Sequence, residues 1–384
     1  METHKQELTA EVELVLLLSD PLPPEAGLAR LEELVVGTHD WNRVLGLLHT
    51  HRTAGTAWCN LVRLGFEVME RIKPAYLLHG LELTHRAQRL YADDQLTRTV
   101  ALMREFDAAG IDCVMLKGAA VARMAYPDTG MRFFGDNDLL FRRSDIGRVG
   151  EILRGAGYRQ GRWNATTGEI VPASRREIML HSVHAHETFP YLRTEPDARI
   201  ATVHEVDVHF SVDLLSSNNT DESVARILDR RSEVDGVAGA PLWTPHAEDM
   251  FVFVAVHFER EATHMSEVGS TRDLVLYKLL DLLAMLGSTT LPLDPGSVVR
   301  RAAELGLGRE LYFGLYYLDV LYPGRVPAEL LEAARPEETG YLHQLRDNSG
   351  PVHTWRAALT DRFFDSRRQD ELADKLAEWS AANA

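Results

Sequence analysis

The sequence predicts an α+β protein with a mixed-sheet core of α/β type, flanked by helical regions on its N-terminal and C-terminal sides. Three observations predict it. Residues before about Ile111 carry apolar positions at helical spacing, broken only at prolines; from Ile111 to about 215 strand-like and helix-like segments alternate; and beyond a turn-rich stretch at 235–241 the helical pattern returns and holds to the end. The expected division is therefore a helical region over 1–110, a core over 111–240 and a C-terminal helical domain over 241–384.

Taken in order, helices are expected over 7–18, 23–36, 40–64 and 76–109, with Pro21-Leu22-Pro23-Pro24 and Pro74 as breakers. A buried strand over 111–116 should turn through Lys117-Gly118 into an alanine-rich helix, and residues 145–156 should form another helix, ended by Gly157. The region around 178–192 reads as strand, and so does 203–210, where Glu205, Asp207 and His209 alternate with Val206, Val208 and Phe210. Thr244 followed by Pro245 fits a helix start, and 274–285, LVLYKLLDLLAM, is apolar enough to be wholly buried.

The chemistry concentrates in LKGAAVARMAYPDTGMRFFGDNDLLF, which runs from Leu116 to Phe141. In a strand, residues two apart share a face, so Asp136 and Asp138 of the Gly135-Asp136-Asn137-Asp138 run should stand side by side. Two carboxylates held that close repel unless a cation lies between them, and hard oxygen ligands suit Mg²⁺ or Mn²⁺. A third carboxylate, Asp207, can arrive from the 203–210 strand. On the other side, the Lys117-Gly118 turn admits close backbone approach, and the helix N-terminus after it offers unpaired N–H groups to phosphate oxygens, with Lys117 and Arg132 to add charge. Together these features describe a site for a metal and a triphosphate.

The segment resembles the uncharacterised nucleotidyltransferase family of the DNA polymerase β-like superfamily. The resemblance rests on the Leu116-Lys117-Gly118 turn, Arg132 and the Gly135-Asp136-Asn137-Asp138-Leu139-Leu140 strand. It is joined by Asp40-Trp41-Asn42 upstream and by Val206-Asp207-Val208-His209 and Tyr277-Lys278-Leu279-Leu280-Asp281-Leu282 downstream. It implies a polymerase β-like nucleotidyltransferase core in which Asp136, Asp138 and Asp207 are catalytic and bind the metals. Lys117 and Gly118 then shape the triphosphate pocket, with Gly135 beside them and Arg132 contacting phosphate. The implied reaction moves a nucleoside monophosphate, AMP foremost, from a nucleoside triphosphate to a small-molecule or peptide acceptor and expels pyrophosphate by two-metal catalysis. The alternative is an inactive relative that binds nucleotide or a partner protein. One departure stands out: Ala119 and Ala120 follow the turn glycine where many such transferases carry a serine, so phosphate binding would lean on backbone and Lys117.

Composition narrows the partners. With 384 residues, 45% of them hydrophobic, there is material for more than one core, and no apolar run is long enough for a membrane span. The start, Met1 to Glu7, has no apolar signal region, and Cys59 and Cys113 make no disulfide framework, so a cytoplasmic location is expected. A net charge of −16 argues against nucleic acid as the acceptor, because such binding neutralises many phosphates. His181, His184, His186, His204 and His209 lack a zinc-type spacing and read as pocket lining or strand surface. His257 reads as a satisfied core histidine, Lys278 and Asp281 as either a mutual pair or a reach toward nucleotide, and His209 as a neighbour that orients Asp207 or meets the acceptor.

Overall fold

Caps and breakers set the helices that open the chain. The computed structural model describes residues 8–73, 75–184, 187–212, 221–237, 239–347, 349–365 and 367–383, so the expected start of the first helix at Glu7 lies outside the described residues. Helix α1 (Ala10–Ser19) is capped by the Thr9 hydroxyl, which accepts from the Val12 N–H, and α2 (Glu25–Val35) starts straight after Pro24. The helix expected over 40–64 is two: α3 (Trp41–Thr50), capped by Asp40, and α4 (Ala54–Leu64). Arg52 between them takes a left-handed φ of 58°, which no continuous helix accommodates. A short α5 (Phe66–Met69) precedes the 33-residue α6 (Tyr76–Ala108).

Strands and helices then alternate: β1 (Val114–Met115), α7 (Lys117–Met124), β2 (Asn137–Leu140), α8 (Ile146–Gly155), β3 (Arg159–Asn164), β4 (Glu169–Pro172), α9 (Arg175–His184), β5 (Tyr191–Thr194), β6 (Val203–His209) and α10 (Asp221–Leu228). The strands form one six-stranded sheet in the order β1-β2-β6-β5-β3-β4. Only β2 and β6 run parallel; every other neighbouring pair is antiparallel, so the sheet is mixed. Residues 178–184 of the region expected to be strand-like belong instead to α9, which Ser174 and Glu177 start with a capping box: the Ser174 N–H and hydroxyl both donate to Glu177, and the Glu177 N–H donates back to the Ser174 Oγ.

A hairpin of β7 (Ser232–Asp235) and β8 (Pro241–Thr244) leads into α11 (Ala247–Thr263). Thr244 is thus the last residue of a strand, paired with Ser232, and the helix starts two residues later than the Thr-Pro signal suggests. Next come α12 (Met265–Gly269), α13 (Leu276–Gly287), α14 (Pro295–Glu304), α15 (Gly308–Leu321), α16 (Ala328–Ala334), the hairpin β9 (Gln344–Asp347) and β10 (Gly350–Thr354), α17 (Leu359–Phe364) and α18 (Ala373–Asn383). Helix α13 is buried from Lys278 to Met285, as its apolar run requires. The architecture is α+β with helical regions on both sides of the sheet in sequence.

The chain divides into two compact units, one of residues 1–82, 254–287 and 294–384, the other of 83–253 and 288–293. This partition differs from a linear one in three parts, because the N-terminal and C-terminal helices share one core while most of α6 packs with the sheet. In the first unit the Tyr322 hydroxyl donates to the Leu16 carbonyl and Arg325 pairs with Asp20, joining residues some three hundred apart in sequence. In the second, Val114, Leu116 and Leu140 pack with Val224, Ile227, Leu228 and Phe253, and Phe106 of α6 meets Phe141 edge to face. Cys59 and Cys113 are free thiols, and no helix among the described residues is long and apolar enough to cross a membrane.

Candidate functional site

A buried polar network holds the two parallel strands in place. On the face of the sheet toward α6, Asn137 and His204 point inward and are fully buried, with Gln95 and Thr99 of α6 opposite them. The Asn137 amide donates to Gln95 Oε1 (2.7 Å) and to the Glu205 carbonyl oxygen on β6 (2.9 Å), and its own oxygen lies 2.9 Å from the Thr99 hydroxyl. His204 bridges Thr99 (2.9 Å) and the Tyr158 hydroxyl (2.8 Å), and Gln95 donates to the Val203 carbonyl. Burial, then the charges of Arg193 and Arg98, push His204 down to about 3, so it is neutral. Every member has a partner, the condition under which such a network rigidifies a core.

With these residues turned toward α6, their neighbours along each strand face the opposite side. Asp138 of β2 is the direct register partner of Asp207 on β6, and Leu140 pairs with His209. The expected convergence of Asp138 and Asp207 is therefore a consequence of parallel pairing. Asp136 lies one residue ahead of β2 and is exposed, whereas Asp138 and Asp207 are buried. Asp138 Oδ1 receives two donors, the Lys117 ammonium at 2.8 Å and His209 Nε2 at 2.7 Å. Glu187, which pairs with His209 through an isolated bridge after α9, sets its Oε2 3.2 Å from the same nitrogen. Asp207 Oδ1 is buried and has no hydrogen-bond partner among the described residues.

The electrostatics are lopsided. Burial alone would raise the Asp138 carboxyl, but Lys117 and the charge and hydrogen bond of His209 outweigh it and hold Asp138 well below the usual carboxylate range. Lys117 is correspondingly raised, burial opposing and Asp138, Glu187 and Asp136 prevailing. The other carboxyls lack such compensation. Burial, followed by the charges of Glu187, Asp138, Asp136 and Glu205, pushes Asp207 well above its ordinary value. Burial and then Asp136, Asp138 and Glu187 push Glu205 up to about 7. Asp136 is also raised, by the protein packed around its carboxyl and by Asp138, with Lys117 offsetting part of the effect. An oxygen-rich cluster with surplus negative charge and an unpartnered buried Asp207 oxygen fits a divalent cation.

The turn beside this cluster is tightly built. Lys117 has a left-handed φ of 52°, unusual for a residue with a side chain, and opens α7; Leu116 before it makes no side-chain cap, leaving the first N–H groups of the helix uncapped by a side chain at that position. A Cβ on Gly118 would lie 2.8 Å from Phe134 Cβ and 3.3 Å from Arg132 Nη2, so only glycine admits this approach. Arg132 is buried against Gly118 and donates to the Phe133 carbonyl oxygen. Gly135 is exposed, and its carbonyl accepts from Tyr91 of α6 at 3.0 Å, which tethers the loop ahead of Asp136. Of these four residues, Lys117 reaches Asp138 directly, and Gly118 and Arg132 pack against each other.

Reasoning from sequence did not single out Glu187 or Tyr91. Glu187 lies within the 178–192 stretch read as strand-like, and Tyr91 is one residue of a long helix with no local mark; only the bridge to β6 and the packing of α6 bring them in. Of the histidines, His209 joins the cluster, while His204 has both ring nitrogens engaged on the far face. His181 Nε2 lies 3.8 Å from Glu187. The His184 side chain and His186 lie outside the described residues. In the other unit, His257 lies 3.5 Å from Glu261, and Lys278 pairs with Glu261 and donates to the Arg272 carbonyl.

Residues 37–323 match the family model described as "Uncharacterised nucleotidyltransferase". The chain belongs to that nucleotidyltransferase family. Family membership makes it a transferase by kinship and supports nucleotidyl transfer as its general role. Among solved structures it is similar to an antigenic nucleotidyltransferase-like protein from Paracoccidioides brasiliensis, at 16% identity over 57% of this chain and 92% of that one, with a TM-score of 0.31, a likeness too distant to carry any argument. No curated protein matches the sequence. The nucleotidyltransferase match includes Asp136, Asp138 and Asp207 together with the turn at Lys117-Gly118.

Proposed function

We propose that this nucleotidyltransferase moves a nucleoside monophosphate, AMP the first to test, from a nucleoside triphosphate to an oxygen or nitrogen of a small-molecule or peptide acceptor, in the presence of Mg²⁺ or Mn²⁺. The observation that carries the reading is the parallel register of Asp138 with Asp207, which packs two buried carboxylates side by side just beyond Asp136. Asp136, Asp138 and Asp207 would hold the cation. When bound, it neutralises charge on the phosphates and assists both the attacking and the leaving oxygen. A bond forms between the acceptor atom and the α-phosphorus, the bond from that phosphorus to the β-phosphate oxygen breaks, and pyrophosphate leaves as the acceptor gives up its proton.

The chain's own groups supply the rest. Gly118 lets Phe134 and Arg132 close against the turn, the first turn of α7 offers N–H groups, and Lys117 and Arg132 add positive charge against the departing pyrophosphate. The net charge of −16 favours a small acceptor over a nucleic acid. A second reading, nucleotide binding without turnover, draws support from one contact: Lys117 already neutralises Asp138, and a lysine that stayed there would compete with a cation.

The deciding experiment incubates the protein with each labelled triphosphate, Mg²⁺ and candidate acceptors and follows pyrophosphate release. Asp138→Asn and Asp207→Asn should abolish release. Triphosphate binding with no release from any acceptor, unaltered by Lys117→Gln, would favour the second reading.

A further inference from the structure

Glu187 and His209 are unexplained by the aspartate site, yet both converge on Asp138. One donor atom from each of Asp138, Glu187 and His209 lies within 4.8 Å of the other two. Asp138 Oδ1 is 2.7 Å and Glu187 Oε2 is 3.2 Å from His209 Nε2. Donors placed about 2.1 Å from one ion in octahedral geometry stand about 3 Å apart at adjacent positions, so the two separations from His209 Nε2 are within a few tenths of an ångström of that spacing. A second, independent feature points to the same place: Asp207, nine-tenths buried and the register partner of Asp138, has an oxygen without a hydrogen-bond partner among the described residues.

We propose that Asp138, Glu187 and His209 form a mixed oxygen–nitrogen cation position, distinct from the all-carboxylate one, that selects a first-row transition ion such as Mn²⁺ over Mg²⁺. The inference rests on the metal-dependent reading above and deepens it by adding two ligands and an ion preference. Imidazole nitrogen is a poor ligand for Mg²⁺, which demands oxygen, and a better one for transition ions. To ligate, His209 would present the Nε2 lone pair as the Nδ1–H tautomer, and the Lys117 ammonium would turn from Asp138 Oδ1 toward the phosphates.

Mn²⁺ alone, without nucleotide, tests this. Pulsed electron paramagnetic resonance of the wild-type protein with Mn²⁺ should show coupling to a ¹⁴N nucleus that disappears in His209→Gln. Glu187→Gln, at a less buried position and so a safer fold, should weaken Mn²⁺ binding about tenfold or more, and the preference for Mn²⁺ over Mg²⁺ should fall with it. Absence of nitrogen coupling in the wild type, or Mn²⁺ binding by Glu187→Gln equal to wild type, would overturn the assignment. The outcome is separable from the proposed activity: a nitrogen signal without nucleotidyl transfer keeps the cation position and removes the reaction, and transfer without the signal does the reverse.

Discussion

Asp207→Asn should make the metal-free protein more stable while destroying its proposed activity. Neighbouring strands lie about 4.8 Å apart, so charges on the register partners Asp138 and Asp207 are separated by about 5 Å; at an effective dielectric constant of about 20 their repulsion is about 3 kcal/mol. Lys117 on Asp138 cancels part of this, leaving about 1–2 kcal/mol as the expected gain. For a unit of this size that corresponds to a rise in Tm of about 2–8 °C, readable by urea and thermal unfolding in EDTA near pH 7.5. The pH dependence has a definite sign. Asp207, Glu205 and Asp136 have folded-state values above their unfolded ones, so they favour the fold fully at low pH, and that contribution is lost as pH rises, for Glu205 through about 7. Metal-free wild type should therefore be more stable at pH 6 than at pH 8, and Asp207→Asn should show a flatter profile. Added Mg²⁺ should stabilise wild type in proportion to the logarithm of its concentration and leave the variant nearly unmoved. A variant less stable than wild type in EDTA, or one that responds to Mg²⁺ as wild type does, would refute the charge argument.

Two further substitutions probe how the site is held. Asn137→Ala strips partners from Gln95 Oε1 and the Glu205 carbonyl in a fully buried network, at about 1–3 kcal/mol for each orphaned group, so urea unfolding should show a loss of about 3 kcal/mol; a loss under about 1 kcal/mol would mean the network does not hold β2 to β6. Gly118→Ala places a methyl 2.8 Å from Phe134 Cβ, which should cost about 1–3 kcal/mol and weaken triphosphate binding measured by calorimetry; unchanged affinity would remove the turn from the phosphate pocket.

The α+β class, most helices and the β6 strand were legible because each depends on local information: period, breakers and the two-residue repeat of a strand, which also puts Glu205, Asp207 and His209 on one face. The same locality explains one failure and not another. Residues 178–184 look like strand by composition, a reading that leaves out the local Ser174-x-x-Glu177 capping box, present in the sequence, that starts their helix. Thr244-Pro245 resembles a helix start because the tripeptide before α11 carries the right residues, while the cross-strand pairing of Thr244 with Ser232 is invisible along the chain.

By itself the sequence determined which side chains share a strand face, since this follows from backbone geometry within a few residues. Only the tertiary structure decided that β2 and β6 pair in parallel and in the register that sets Asp138 beside Asp207, that Glu187 and His209 close on the same carboxylate, and that Lys117 occupies it. The β2–β6 pairing joins residues 69 apart in sequence and the Glu187 and Lys117 contacts join residues 21 or more apart, fixed by a hydrogen-bond ladder and by the Gln95–Thr99–Asn137–His204 network behind it, and no local pattern of residues encodes them.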